Sequence, residues 1–249
     1  MRKKLIAANW KMYKTPHQAE HFVSAFLPLA ADHERDEIVV CPPFVCLPAV
    51  IAAVHGSRIH VGGQNMYWEK EGAFTGEISA HMLRSLGCSH VIIGHSERRQ
   101  YFGETDETVN LKLKSALSSG LHPIVCVGEI LAEREAGLTE QVLRQQCSIC
   151  FRDISGADAA PLIVAYEPVW AIGTGKTATP ELAAEAHEVI RAEAAKAFGA
   201  AAAERLRILY GGSVKPENAH ALMSKKEIDG ALVGGASLDP KSFAAIVKY

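Results

Sequence analysis

No apolar run in the 249 residues approaches the ~20 that a membrane span needs. Residues 1–9 carry basic side chains ahead of an apolar stretch far too short for a secretory signal. Charge of one sign is also missing: 26 basic against 28 acidic residues leave a formal net charge of -2. No global field therefore favours nucleic acid or an anionic membrane, and an anionic ligand would have to be drawn by local groups. Cysteine is sparse and scattered, at 41, 46, 88, 126, 147 and 150, within core-like segments. That argues for reduced thiols and against a disulfide framework. Cys147 and Cys150 form a C-x-x-C without a second ligand pair, in a helical pattern, and read as buried or helix-surface thiols. No low-complexity linker or composition break divides the chain. These absences predict a cytoplasmic protein, a single domain over 1–249, no nucleic-acid partner and no membrane association.

What is present is regular alternation. Short apolar, β-branched runs predict strands at 5–9, 38–41, 59–63, 90–94, 124–127, 162–167, 207–209 and 230–233. Several are apolar throughout, as strands covered on both faces should be. Between them apolar residues fall at helical spacing, as with Phe22, Val23, Phe26 and Leu29, or Leu182, Ala186, Val189 and Ile190. Thr15-Pro16, Thr179-Pro180 and Asp239-Pro240 each offer a capping acceptor followed by proline at the first helical position. Eight strand–helix units predict an α/β fold with an eight-stranded parallel sheet closed into a (β/α)8 barrel.

In such a barrel, function belongs at strand C-termini and the loops after them. Unusual residues cluster there: Asn9 and Lys11, His95 to Arg98, Glu167, the pair Gly211-Gly212 with Ser213, and the pair Gly234-Gly235. Glycine-rich loops after the last two strands let backbone N–H groups approach an anion, and they match the common phosphate position of barrels. Tight turns alone would also use glycine. Glu167 ends an apolar strand, where a carboxylate is costly without a task or a partner. Taken singly, Glu167 could be a structural ion-pair member, His95 a core histidine and Lys11 a solvated side chain. The stretch Trp170 to Thr177 ends like a nucleotide-binding P-loop, but Trp170 holds the first glycine position and the stretch follows a barrel strand. Small residues between stiffer ends read better as a lid over 168–176. Clustered His and acidic metal ligands are not found at the strand ends, so no metal is predicted.

Together these residues resemble the triosephosphate isomerase family. The family's motifs occur in order: Asn9-Trp-Lys11, Cys41-Pro-Pro-Phe44, Gln64-Asn65 with Gly72-Ala-Phe-Thr-Gly-Glu77, Gly94-His-Ser-Glu-Arg-Arg99, Cys126-Val-Gly-Glu129, Ala165-Tyr-Glu-Pro-Val-Trp170 through Lys176, Tyr210-Gly-Gly-Ser-Val214 and Gly230 through Leu238. They span nearly the whole chain. The resemblance implies a TIM barrel that interconverts dihydroxyacetone phosphate and D-glyceraldehyde 3-phosphate in glycolysis and gluconeogenesis, without a cofactor. It makes Glu167 the base and His95 the electrophile. This family is itself the standing example of a helix N-terminus keeping such a histidine neutral. Asn9 and Lys11 would complete the electrostatic cage, with Glu97 close to Lys11 as ion partner or proton carrier. Gly173, Ser213, Gly234 and Gly235 would bind the phosphate, and Cys126 would lie beside the base. Pro168, Val169, Trp170, Ala171, Ile172, Gly173, Thr174, Gly175 and Lys176 would form the lid, with Glu129 holding the Trp170 indole when it is open and Tyr210 contributing on closure.

The loop 64–79 carries Met66, Tyr67, Trp68 and Phe74, and exposed apolar residues in so long a loop suggest an interface. Similar loops in the family dock into a second subunit, so a homodimer is expected, with Thr75 near the partner's site. The rival is a non-catalytic phosphometabolite-binding barrel, which would bind without turnover.

Overall fold

The computed structural model describes residues 2–172 and 177–249. Eight strands follow one another around a closed barrel: β1 (Leu5–Asn9), β2 (Glu37–Cys41), β3 (Ile59–Gly63), β4 (His90–Ile93), β5 (His122–Val127), β6 (Ile163–Tyr166), β7 (Arg207–Tyr210) and β8 (Gly230–Val233). All neighbours pair in parallel, and β1 pairing with β8 closes the ring. The predicted α/β barrel is therefore the fold. Strands predicted from apolar runs agree closely; β4 and β6 are shorter than expected, at His90–Ile93 and Ile163–Tyr166, and β7 runs one residue further, to Tyr210. β2 and β5 begin earlier than expected, at Glu37 and His122. An apolar-run reading trims polar residues from strand ends, and here those residues are paired into the sheet.

The three Thr/Asp-Pro signals each start a helix. Thr15, Thr179 and Asp239 accept from the backbone N–H three residues on, at 3.4, 3.3 and 2.8 Å. The alanine-rich stretch after Gly199 forms a short helix of its own, Ala200–Arg205. Cys147 and Cys150 are buried on the helix Thr139–Cys150, and all six cysteines are free and buried. No helix among the described residues is long and apolar enough to cross a membrane.

Strand side chains alternate between two cores. The larger lies between the sheet and the surrounding helices and includes Ile6, Ala8, Val40, Val91, Val125 and Val164. The smaller fills the barrel itself with Leu5, Ala7, Val39, Cys41, Ile92, Ile124, Cys126, Ile163, Ala165, Leu209 and Leu232. Continuing the inward parity past these residues delivers Asn9 and Lys11 from β1, Glu167 from β6, Gly211 from β7 and Gly234 from β8 to one mouth. The fold thus places the sequence candidates together before any loop is considered.

Candidate active site

A cleft of about 360 Å3 at that mouth is lined by Asn9, Lys11, His95, Glu167, Ser213, Gly234 and Gly235, together with Tyr13, Ile172 and Gly211. Glu167 follows the last residue of β6 and is almost completely buried. One carboxylate oxygen, Oε2, accepts the Ser96 N–H at 2.9 Å; the other, Oε1, lies 2.9 Å from His95 Nε2. Burial pushes its pKa upward, but His95 and the Ser96 N–H outweigh burial and hold the carboxyl below its ordinary value. The candidate base is therefore ionised. Cys126, inside the barrel beside it, keeps its proton through burial and the adjacent Glu167 charge.

His95 caps the short helix Ser96–Tyr101, and the Glu97 N–H points at its Nδ1 at 3.3 Å. That contact uses the Nδ1 lone pair and leaves Nε2 as the nitrogen that carries hydrogen. Burial lowers the His95 pKa, yet the Glu167 charge and contact reverse this and leave it above its ordinary value. The direction depends on Glu167. A ligand that draws the carboxylate away removes the counter-charge, and burial with the Nδ1 contact then favours neutral imidazole. With Glu167 in contact, His95 is instead held toward its protonated form, against the neutral histidine that the resemblance implies.

Lys11 stands in the left-handed region at φ 53°, a conformation that costs a non-glycine residue on the order of 1–3 kcal/mol. Its backbone is fixed from both sides: the N–H donates to Asn9 Oδ1 at 3.0 Å, and the carbonyl accepts from Gln64 Nε2 at 2.9 Å. Nζ pairs with Glu97 Oε1 at 2.7 Å, so the expected proximity of Glu97 to Lys11 is present. A Cβ on Gly234 would meet Lys11 Cε at 3.3 Å; glycine there leaves the lysine its path.

The lid candidates divide. Pro168, Val169, Trp170, Ala171 and Ile172 lie in and around a 3-10 turn, with the Trp170 Nε1–H donating to buried Glu129 Oε1 at 2.9 Å. The Tyr166 hydroxyl donates to the same carboxylate at 3.0 Å, so the predicted Glu129 partner is in place. Beyond the segment, the Ala178 N–H donates to the Tyr210 hydroxyl at 3.3 Å. Gly173, Thr174, Gly175 and Lys176 lie outside the described residues.

Sequence reasoning missed the support behind His95. Glu104 accepts the Gly94 N–H at 2.9 Å and pairs with Arg98 at 2.7 Å and Lys112 at 3.1 Å. Arg99 donates to the Gly94 and Cys126 carbonyls at 2.7 and 3.1 Å, tying β4 to β5 below the site. The doubled arginine directly after His95-Ser-Glu was the available signal. Gly211 was read only as part of a glycine loop, but a Cβ there would meet Glu167 Cγ at 2.9 Å. At the proposed interface, Phe74 is exposed as expected and Thr75 is exposed beside it, whereas Met66 is fully buried because it points into the core and Tyr67 and Trp68 are half-buried. Tyr67 stacks on Trp68 at 4.0 Å and packs against Phe74 at 4.6 Å.

Comparison with known proteins agrees with this arrangement. The family model described as triosephosphate isomerase matches residues 4–249. The chain belongs to the triosephosphate isomerase family. It is 58% identical over 249 residues to the triosephosphate isomerase of Solibacter usitatus, covering 100% of both chains. It is 56% identical to those of Citrifermentans bemidjiense and Moorella thermoacetica, covering 100% of this chain and 99% of each relative.

Proposed function

We infer that the protein interconverts dihydroxyacetone phosphate and D-glyceraldehyde 3-phosphate through an enediolate, an aldose–ketose isomerisation of glycolysis and gluconeogenesis. The observation that carries the reading is an ionised, buried Glu167 facing His95 at 2.9 Å on the floor of a glycine-walled cleft. The Glu167 carboxylate removes a proton from the carbon beside the carbonyl. The C–H electron pair becomes the double bond between the two carbons, and the carbonyl oxygen takes the negative charge. The His95 Nε2–H and the Lys11 ammonium face that oxygen, and Asn9 fixes Lys11. His95 gives a proton to one oxygen and receives one from the other, while Glu167 returns its proton to the neighbouring carbon. The net change is redox-neutral, so a base, an electrophile and an anion site suffice.

Backbone N–H groups of Gly173, Ser213, Gly234 and Gly235 hold the phosphate. Hydrogen bonds to charged groups contribute roughly 1.5–3 kcal/mol each, enough in combination to retain a dianion without an arginine fork. The lid over 168–176 excludes water from an intermediate that would otherwise expel phosphate. All of 1–249 serves as one domain, working in the cytoplasm, where its free thiols stay reduced.

The decisive assay is conversion of dihydroxyacetone phosphate by the purified chain beside Glu167→Ala. Wild-type turnover should be fast and should fall at least ~10²–10⁴-fold in the variant. A folded wild type that binds the phosphate without turnover would instead support the non-catalytic phosphometabolite-binding barrel.

The chain works as a homodimer through loop 64–79, with Thr75 reaching toward the partner's site. Support comes from large apolar side chains left exposed after the first four strands: Met12, Tyr13, Val45, Phe74, Tyr101 and Phe102. Sedimentation at micromolar concentration should give twice the chain mass, and a fully active monomer there would sink this assembly.

A further inference from the structure

The inward rows of the barrel end at a second cluster, at the opposite mouth. Glu37 precedes Val39 and Cys41 on the interior parity of β2; His90 precedes Ile92, His122 precedes Ile124, and Arg207 precedes Leu209. Gly62 also faces inward, since a Cβ on it would meet Cys41 Sγ at 2.9 Å, and His60 shares its parity. Four neighbouring strands, β2 to β5, therefore each bring one metal-ligating residue type to one place.

The details suit a cation. Arg207 takes Glu37 Oε2. Glu37 Oε1 lies 3.2 Å from His90 Nε2 and 3.8 Å from His60 Nε2. One ligand atom from each of Glu37, His90 and His122 falls within 4.8 Å of the others. His90 Nε2 and His122 Nδ1 are buried without a hydrogen-bond partner, the former close to Glu37 but not aligned with it. Ser89 Oγ sits 2.8 Å from His90 Nδ1 and can orient the ring, as outer partners of metal-bound imidazoles do. Burial holds both His90 and His122 below their ordinary pKa, so they are neutral at pH 7 with lone pairs available. A cleft lined by Glu37, Ile59 and His60 gives access from solvent.

We propose that Glu37, His90 and His122, completed by the exposed His60, form a binding site for a zinc-type dication at the N-terminal end of the barrel. Neutral imidazoles with one carboxylate are the donor set such ions favour. The ion would staple four consecutive strands and supply no step of the isomerisation; this end of a barrel serves stability.

The test uses untagged, chelator-treated protein. Zn2+ is titrated by calorimetry and Co2+ by visible absorption, on the wild type, His122→Gln, His90→Gln, His60→Ala and His17→Ala. The expected result is one equivalent per chain, a melting temperature that rises with Zn2+, and binding in His122→Gln weakened by more than the roughly 10–100-fold that loss of an outer partner of a ligand costs. Because His90 is fully buried, His90→Gln can misfold; exposed His60→Ala cannot be excused that way and should weaken binding about tenfold. His17 and His21, one turn apart on the first helix with ring centroids 4.2 Å apart, are the rival chelate. Binding that survives His122→Gln and His60→Ala, or disappears in His17→Ala, overturns the proposal, as does the absence of stoichiometric binding.

Discussion

The two mouths of the barrel each set a histidine against a glutamate, and the pairs behave oppositely. At the C-terminal mouth His95 faces Glu167 at 2.9 Å and its pKa is raised; at the N-terminal mouth His90 faces Glu37 at 3.2 Å and its pKa is lowered. Both imidazoles are desolvated, so burial does not separate them. The company of the carboxylate does. Glu167 has a backbone N–H and His95 at contact distance, so its charge acts on the histidine. Glu37 is shared with Arg207, and His90 additionally faces His60 and His122, which oppose its protonation. Glycine divides the same way. Gly211 makes room for a reacting side chain, whereas Gly230, at φ 139°, makes room for neighbouring backbone, since a Cβ would fall 1.9 Å from the Leu5 carbonyl oxygen.

That contrast yields the largest expected effect. Gly230→Ala should lose at least about 4 kcal/mol of stability, because no side-chain movement relieves an overlap with a β-strand carbonyl. Gly211→Ala should fold, since its clash is partly with a side chain, but displacing Glu167 should cost on the order of 10²-fold in kcat/KM. Melting curves and initial rates on the two variants check both. A stable, inactive Gly230→Ala with an unfolded Gly211→Ala would reverse the assignment of the two mouths.

Most of the barrel and the upper mouth were legible in the sequence because each rests on a local signal. Apolar runs marked the strands, Thr-Pro and Asp-Pro marked helix starts, and Asn9, Lys11, His95 and Glu167 stood out as polar residues where apolar strands end. The lower mouth was not legible for the same reason. Glu37, His90 and His122 lie at strand beginnings, where polar residues are ordinary, and only closure of the sheet brings them within reach of one another. The Arg99 and Glu104 supports were only half announced: the doubled arginine after His95-Ser-Glu was visible, but the main-chain groups that Glu104 and Arg99 bind at Gly94 and Cys126 have no residue code. Met66 was misjudged because loop residues were taken as exposed, whereas the chain turns this one inward.

The smallest effect sharpens the comparison through pH. His90 and His122 have folded pKa values below the ordinary 6.5, and buried His187 is depressed to about 4. The unfolded chain therefore binds protons more readily below pH 6.5, and the stability these groups contribute is present above that pH and lost as pH falls through the window, down to about 4 for His187. His95 has the opposite sign: its contribution is full below 6.5 and lost as pH rises through its raised value. In metal-free buffer the urea midpoint should fall from pH 7 to pH 5. His122→Gln should shrink that fall, by at most about 1.4 kcal/mol per pH unit and less here because His122 is only half-buried. His95→Gln should not shrink it, since His95 contributes with the opposite sign. Equal slopes in the wild type and His122→Gln would remove the electrostatic distinction between the mouths and leave the glycines alone to carry it.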